Sequence, residues 1–164
     1  MLARLAAIPA ALVVLGGAAA AQQFQVGSKV SDFSVASLDG RKVSFSAFRG
    51  TTTVVAFIAT QCPVSNAYNS RMNAVYSDYA PKGVKFLFIN SNATEPPSEV
   101  KAHAQRVGFP FPVHKDVDNV VADMFGADAT PEVFIIDASG VIRYHGSIDD
   151  SQNEARVRSQ RLRN

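Results

Sequence analysis

Hydrophobic and polar positions divide the chain into segments of distinct period. From Asp32 to Leu38 and from Arg41 to Phe45, apolar and polar residues alternate on either side of Asp39-Gly40. A period of two around a dipeptide that tolerates positive φ predicts a β-hairpin. Thr53 to Ala59 and Val84 to Ile89 are near-continuous apolar runs of strand length. Such runs suit strands covered on both faces, so these two are expected at the centre of a sheet. Between them Tyr68, Met72, Val75, Tyr76 and Tyr79 recur at helical spacing, with Pro81 and Gly83 as a stop. A strand, helix, strand unit of this kind predicts parallel strands joined by a right-handed crossover.

Further on, Pro97 to Val107 reads as a second helix with Val100, Ala104 and Val107 on one stripe, Phe111 to His114 as a short strand, and Val117 to Phe125 as a brief helix. Glu132 to Asp137 and Val141 to His145, joined around Ser139-Gly140, predict a second hairpin. Ser151 and Glu154 have the spacing of a capping box, which predicts a terminal helix carrying Ala155, Val157 and Leu162. The order of elements predicts an α/β sandwich with a mixed sheet.

Residues 1 to 21 follow a different pattern: Arg4, an apolar run from Leu5 to Leu15, then small residues from Gly16 to Ala21. This is the layout of a secretory signal peptide, with cleavage expected after Ala20 or Ala21 and a mature domain over 22–164. The competing reading is an uncleaved anchor, for which the apolar run falls short of the ~20 residues a bilayer requires. Export to a periplasmic or secreted location is therefore expected, without stable membrane association after cleavage.

Composition adds little to the fold and more to the function. The 164 residues are 47% hydrophobic and 18% charged, the profile of one globular domain. Sixteen basic residues stand against fourteen acidic ones with no long basic run, which argues against a nucleic-acid partner. His103, His114 and His145 lack ligand spacing and read as surface or sheet-edge residues, so neither a metal nor another cofactor is expected. Asp149-Asp150 reads as a strand end ahead of the terminal helix.

The candidate chemistry centres on Cys62, the only cysteine in the chain. It follows a predicted buried strand, and Pro63 stands at the expected first helical position. Unpaired amides at a helix start favour a thiolate. A thiol with pKa ~8.5 is only about 3% ionised at pH 7, whereas a pKa of ~6 makes it about 90% thiolate. The alternative is a buried cysteine acting as a small hydrophobe. Ser65, one helical turn on, is placed either to hydrogen-bond the sulfur or to satisfy the first turn. Thr130-Pro131, just before an apolar strand, is a candidate cis bond.

These residues resemble the thioredoxin-like redoxins, in the branch grouped with alkyl hydroperoxide reductase and thiol-specific antioxidant proteins. The similarity runs from about residue 28 to 151. It rests on the hairpin Val30-Ser31-Asp32-Phe33 through Gly50, on Val55 to Pro63 as strand and active-site turn, on Thr130 to Asp137 as cis-proline loop and strand, and on Gly146 to Asp150. The resemblance implies a thioredoxin-like three-layer sandwich with a mixed central sheet and an N-terminal β-hairpin. It also implies a site of Cys62 as nucleophile with Thr60, Ser65, Thr130 and cis-Pro131.

The implied activity is that of a thiol-dependent oxidoreductase with antioxidant, peroxiredoxin-like action. A peroxide or disulfide would be the substrate, and an external thiol reductant or redox partner protein would complete the cycle. Two alternatives stand beside it: a monothiol disulfide-exchange protein, and a non-catalytic binding or maturation module. Ser65 stands where a thioredoxin has its second cysteine. Ala59 and Val55 occupy the positions of the peroxiredoxin threonine and proline, with Thr60 offset by one. Members of the branch often continue to a Gly-Cys near the C-terminus, so the resemblance implies that this domain is truncated ahead of a resolving cysteine.

Overall fold

The computed structural model describes residues 23–163; the expected signal peptide over residues 1–21 and its expected cleavage point lie outside the described residues. Seven strands form one sheet: β1 (Ser34–Ser37), β2 (Lys42–Ser44), β3 (Thr53–Phe57), β4 (Lys85–Asn90), β5 (Val113–Lys115), β6 (Glu132–Ile136) and β7 (Ile142–Gly146), in the order β2-β1-β5-β4-β3-β6-β7. β3, β4 and β5 run parallel, and the remaining pairings are antiparallel, so the sheet is mixed. The two continuous apolar runs do form its centre. All five residues of β3 are buried, and alternate side chains feed opposite cores, as a period of two requires.

Val55, Phe57, Leu87, Ile89, Phe134 and Ile136 enter one core with Val121 and Phe125 of α4 (Val120–Phe125). Val54, Ala56, Phe86, Phe88 and Val133 enter the other with Met72 and Val75 of α2 (Asn69–Tyr79) and Val100 of α3 (Pro97–Val107). Helices on both faces of a mixed sheet make the expected three-layer sandwich. Each such buried side chain contributes about 1.5–3 kcal/mol through removal from water, so the layer arrangement follows from where the apolar positions point. A short helix, α1 (Pro63–Asn66), precedes α2 and carries the site. The Asp39-Gly40 turn closes the N-terminal hairpin, with Gly40 at φ 87°.

Four expectations need correction. Among the described residues the predicted terminal helix is absent, and the segment forms a single 3-10 turn at Glu154–Arg156, capped by Asn153. Arg71 explains this, because its guanidinium takes the Ser151 and Gln152 carbonyls that a helix there would use. The Ser151 hydroxyl accepts from the Asn153 N-H in place of a capping box. Asp149, read as a strand end, is itself buried and ion-paired with Arg71 at 2.6 Å. The helix predicted from Val117 begins only at Val120, because Asp118 and Asn119 adopt positive φ and the Asp116 carboxylate caps the Val121 and Ala122 amides. Finally, His103 and His114 are buried, not at the surface. His114 faces the Phe88 carbonyl, and burial pushes its pKa down.

Candidate active site

Beyond β3 the chain turns through residues 58–61 into α1, leaving Cys62 as the N-cap with Pro63 at the first helical position. A turn that carries a reactive group needs its backbone polar atoms satisfied, or it will not hold one shape. Here each amide has an acceptor. Ile58 donates to the Ile89 carbonyl at 2.8 Å and Ala59 to Ser65 Oγ at 3.1 Å. Thr60 donates to Glu95 Oε2 at 2.8 Å and Gln61 to Glu95 Oε1 at 2.9 Å. The Thr60 carbonyl accepts from Asn66 Nδ2 at 2.9 Å.

The sulfur of Cys62 is half-buried and opposes the loop before β6. The Thr130-Pro131 bond is cis, and the Thr130 carbonyl oxygen lies 3.8 Å from Sγ. Burial pushes the Cys62 thiol up. The Ser65 N-H, the Thr130 hydroxyl and the Val64 N-H outweigh that penalty, and the thiol ionises below the ordinary cysteine value even though the Glu95 charge opposes it. An open groove of about 530 Å³ runs past the sulfur, lined by Ala59, Asn92, Ala93, Asn119 and Thr130 among others.

Cys62 and Thr130 therefore meet at one point, with cis-Pro131 the next residue along the chain. Ser65 takes neither of its two expected roles: its hydroxyl accepts from the Ala59 N-H, and it is its backbone that, with Thr130 and Val64, lowers the thiol pKa. Thr60 is buried, its N-H bound to Glu95, and its hydroxyl finds no partner among the described residues.

One residue escaped the sequence reading. Glu95 is fully buried, and its carboxylate is the acceptor for the turn. Burial pushes its pKa up, but the Thr60 N-H, the Asn90 side chain and the Gln61 N-H together hold it below the usual carboxylate value. In sequence it precedes Pro96-Pro97 and looks like an ordinary acidic residue at a helix entrance. No local signal marks it out.

Comparison with known proteins agrees with this geometry. The sequence pattern of the AhpC/TSA family matches residues 26–145. Thiol-disulfide oxidoreductase ResA of Geobacillus thermodenitrificans is 31% identical over 118 residues, covering 72% of this chain and 67% of that protein. The crystal structure of an uncharacterized conserved protein from Geobacillus kaustophilus superposes with a TM-score of 0.75 at 32% identity, covering 80% of this chain and 74% of that one. A putative thiol:disulfide interchange protein DsbE from Chlorobium tepidum shares the fold, with a TM-score of 0.67 at 22% identity over 76% of this chain and 86% of that one.

Proposed function

Because the chain belongs to the AhpC/TSA family of thioredoxin-like redoxins, we propose that it is a monothiol thiol-disulfide oxidoreductase with Cys62 as its nucleophile. The observation that carries this reading is a half-buried sulfur at the entrance of α1 that faces the Thr130 carbonyl, at 3.8 Å, on the loop of the cis Thr130-Pro131 bond. In the first step the Cys62 thiolate attacks one sulfur of a substrate disulfide. A Cys62-substrate disulfide forms, the substrate S-S bond breaks, and the other substrate sulfur leaves as a thiolate. In the second, an external thiolate attacks the substrate sulfur of that mixed disulfide and releases Cys62. Ser65 has no sulfur with which to perform this second step internally. The groove beside Thr130 and Asn92 supports a peptide carrier for the disulfide, and a reductant thiol or redox partner protein closes the cycle. The leader-like residues 1–21 support an extracytoplasmic setting, where substrate disulfides persist.

Peroxide reduction by the same thiolate is the second reading, favoured by the family. It is weaker, because Ala59 and Val55 replace the threonine and proline of the peroxidatic motif, and Thr60 is turned into the protein beside Glu95. The two readings separate by mass spectrometry at pH 7. Incubation with a peptide disulfide should give the mixed disulfide on Cys62 about tenfold faster than on the urea-unfolded chain, in line with a raised thiolate fraction. Hydrogen peroxide with a dimedone trap should label Cys62 no faster than it labels the unfolded chain. Equal disulfide rates for the folded and unfolded protein would defeat the exchange reading.

A further inference from the structure

Two loops meet at the Cys62 sulfur, and a single glutamate holds each of them. Glu95, 0% exposed, receives four donors. Thr60 N-H at 2.8 Å and Asn90 Nδ2 at 2.5 Å bind Oε2, while Gln61 N-H at 2.9 Å and Asn92 Nδ2 at 3.0 Å bind Oε1. A carboxylate with no exposure is costly unless its oxygens are satisfied. Here they are, and the Lys115 ammonium stands behind, bound to Asn90 Oδ1 at 2.6 Å and to the Asn92 carbonyl at 2.8 Å. On the other side of the groove, Glu132 is the first residue of β6, next to cis-Pro131. Its Oε2 accepts the N-H groups of Asp128 at 3.0 Å and Ala129 at 3.2 Å, and its Oε1 meets His145 Nε2. Those two amides lead directly into Thr130, the residue opposite the sulfur.

We propose that Glu95 and Glu132 are positioning residues for Cys62, one fixing the turn that presents the sulfur and the other fixing the loop it faces. Together they set the line along which a disulfide approaches. This inference deepens the exchange reading and rests on it, since in-line attack on a held S-S bond is what depends on the placement of both loops.

The donor patterns make the two glutamates chemically unequal. Every partner of Glu95 donates, so an amide at that position sets its own NH2 group against two other donors. Glutamine cannot replace Glu95 despite its matching shape. At Glu132 one oxygen takes both backbone amides, and the other accepts from His145 Nε2-H, a nitrogen that a neutral ring turns into an acceptor by moving its proton to Nδ1. Glutamine satisfies that arrangement once the ring takes the Nδ1-H tautomer, its Oε1 accepting the two amides and its NH2 donating to Nε2.

The test compares the wild type with Glu95→Gln, Glu132→Ala and Glu132→Gln. Rates of exchange with a peptide disulfide and of alkylation by iodoacetamide are followed across pH 5 to 10, with amide hydrogen exchange at residues 59–61 and 128–130. At the high-pH plateau, Glu95→Gln and Glu132→Ala should exchange with the peptide disulfide about tenfold more slowly, while alkylation, in which a small unheld reagent can take any open line to the sulfur, stays within about twofold. Glu132→Gln should restore the rate that Glu132→Ala loses. The amides of Thr60 and Gln61 should lose protection in Glu95→Gln. General loosening does not separate the two reagents in this way.

Should Glu95→Gln fail to fold, Glu95→Asp replaces it. That variant keeps the charge but is too short to span all four donors, and the same selective loss is expected. Peptide-disulfide rates within twofold of wild type, or Thr60 and Gln61 amides that stay protected, overturn the proposal. A wild type that alkylates readily yet exchanges with no disulfide defeats the exchange reading instead, and amide protection still decides the clamps.

Discussion

Ser65 offers the sharpest test of how the site is built, because it stands where a second cysteine would make a dithiol. Its hydroxyl is 1% exposed as part of a buried residue and is the acceptor for the Ala59 N-H at 3.1 Å. Ser65→Ala leaves that buried amide unpaired, which costs about 1–3 kcal/mol. For a domain of this size each kcal/mol lowers Tm by about 2–4 °C, so a fall of roughly 4–8 °C is expected for a loss of about 2 kcal/mol. Circular dichroism melts and urea titration measure it. Ser65→Cys poses the chemical half of the question. With 5,5′-dithiobis(2-nitrobenzoate), the wild type should release one thionitrobenzoate and keep the other as a stable adduct on Cys62. In Ser65→Cys the new thiol, one helical turn away, should attack that adduct, release a second thionitrobenzoate and leave an internal disulfide two hydrogens lighter than the dithiol. A Ser65→Ala loss below about 0.5 kcal/mol, within the range of a neutral surface change, would refute the bonding argument. A Ser65→Cys protein that stays labelled would refute the claim that only the missing sulfur makes this a monothiol.

Three further outcomes follow. The Cys62 thiol is depressed in the folded protein, so ionisation adds stability that is fully present above the unfolded thiol pKa and is lost as pH falls through the folded one. The stability gap between wild type and Cys62→Ala, read from urea midpoints, should widen as pH rises between those two values, and a Thr130→Val change should move the midpoint of the alkylation profile upward; a gap flat with pH would contradict both. Asp149→Ala strands the Arg71 guanidinium, which is paired with Asp149 at 2.6 and 2.8 Å in a buried setting, and should cost about 3–5 kcal/mol in urea unfolding, whereas a loss under 1 kcal/mol would show the pair to be dispensable.

Much of the fold was legible because hydrophobic order alone determines it. The runs at Thr53 and Val84 became β3 and β4, and α3 spans the predicted Pro97–Val107. Errors arose where a polar side chain, not an apolar stripe, decides the backbone. β5 ends on Lys115, a buried ammonium that any hydropathy pattern reads as a boundary. Phe111, expected in that strand, leaves it to stack on Phe88 with ring centroids 3.5 Å apart. The C-terminal segment misled because its helix signals were local, while Arg71, some 80 residues earlier, takes its carbonyls.

The site divides along the same line. Cys62 was legible because an apolar strand followed by Cys-Pro is a local statement, and local rules place the sulfur at a helix start. What holds that start in place is not local: Glu95 lies 35 positions beyond Thr60. In sequence nothing distinguishes a glutamate that will be solvated from one that will be buried. The difference appears only once β4 has delivered Asn90 and Asn92, and the end of β3 has delivered two free amides, to the same few ångströms. Four donors converging there leave an anion as the one side chain that satisfies them all. The proposed nucleophile is thus written in the order of neighbouring residues, whereas the turn that presents it is held by donors that only the folded sheet brings together.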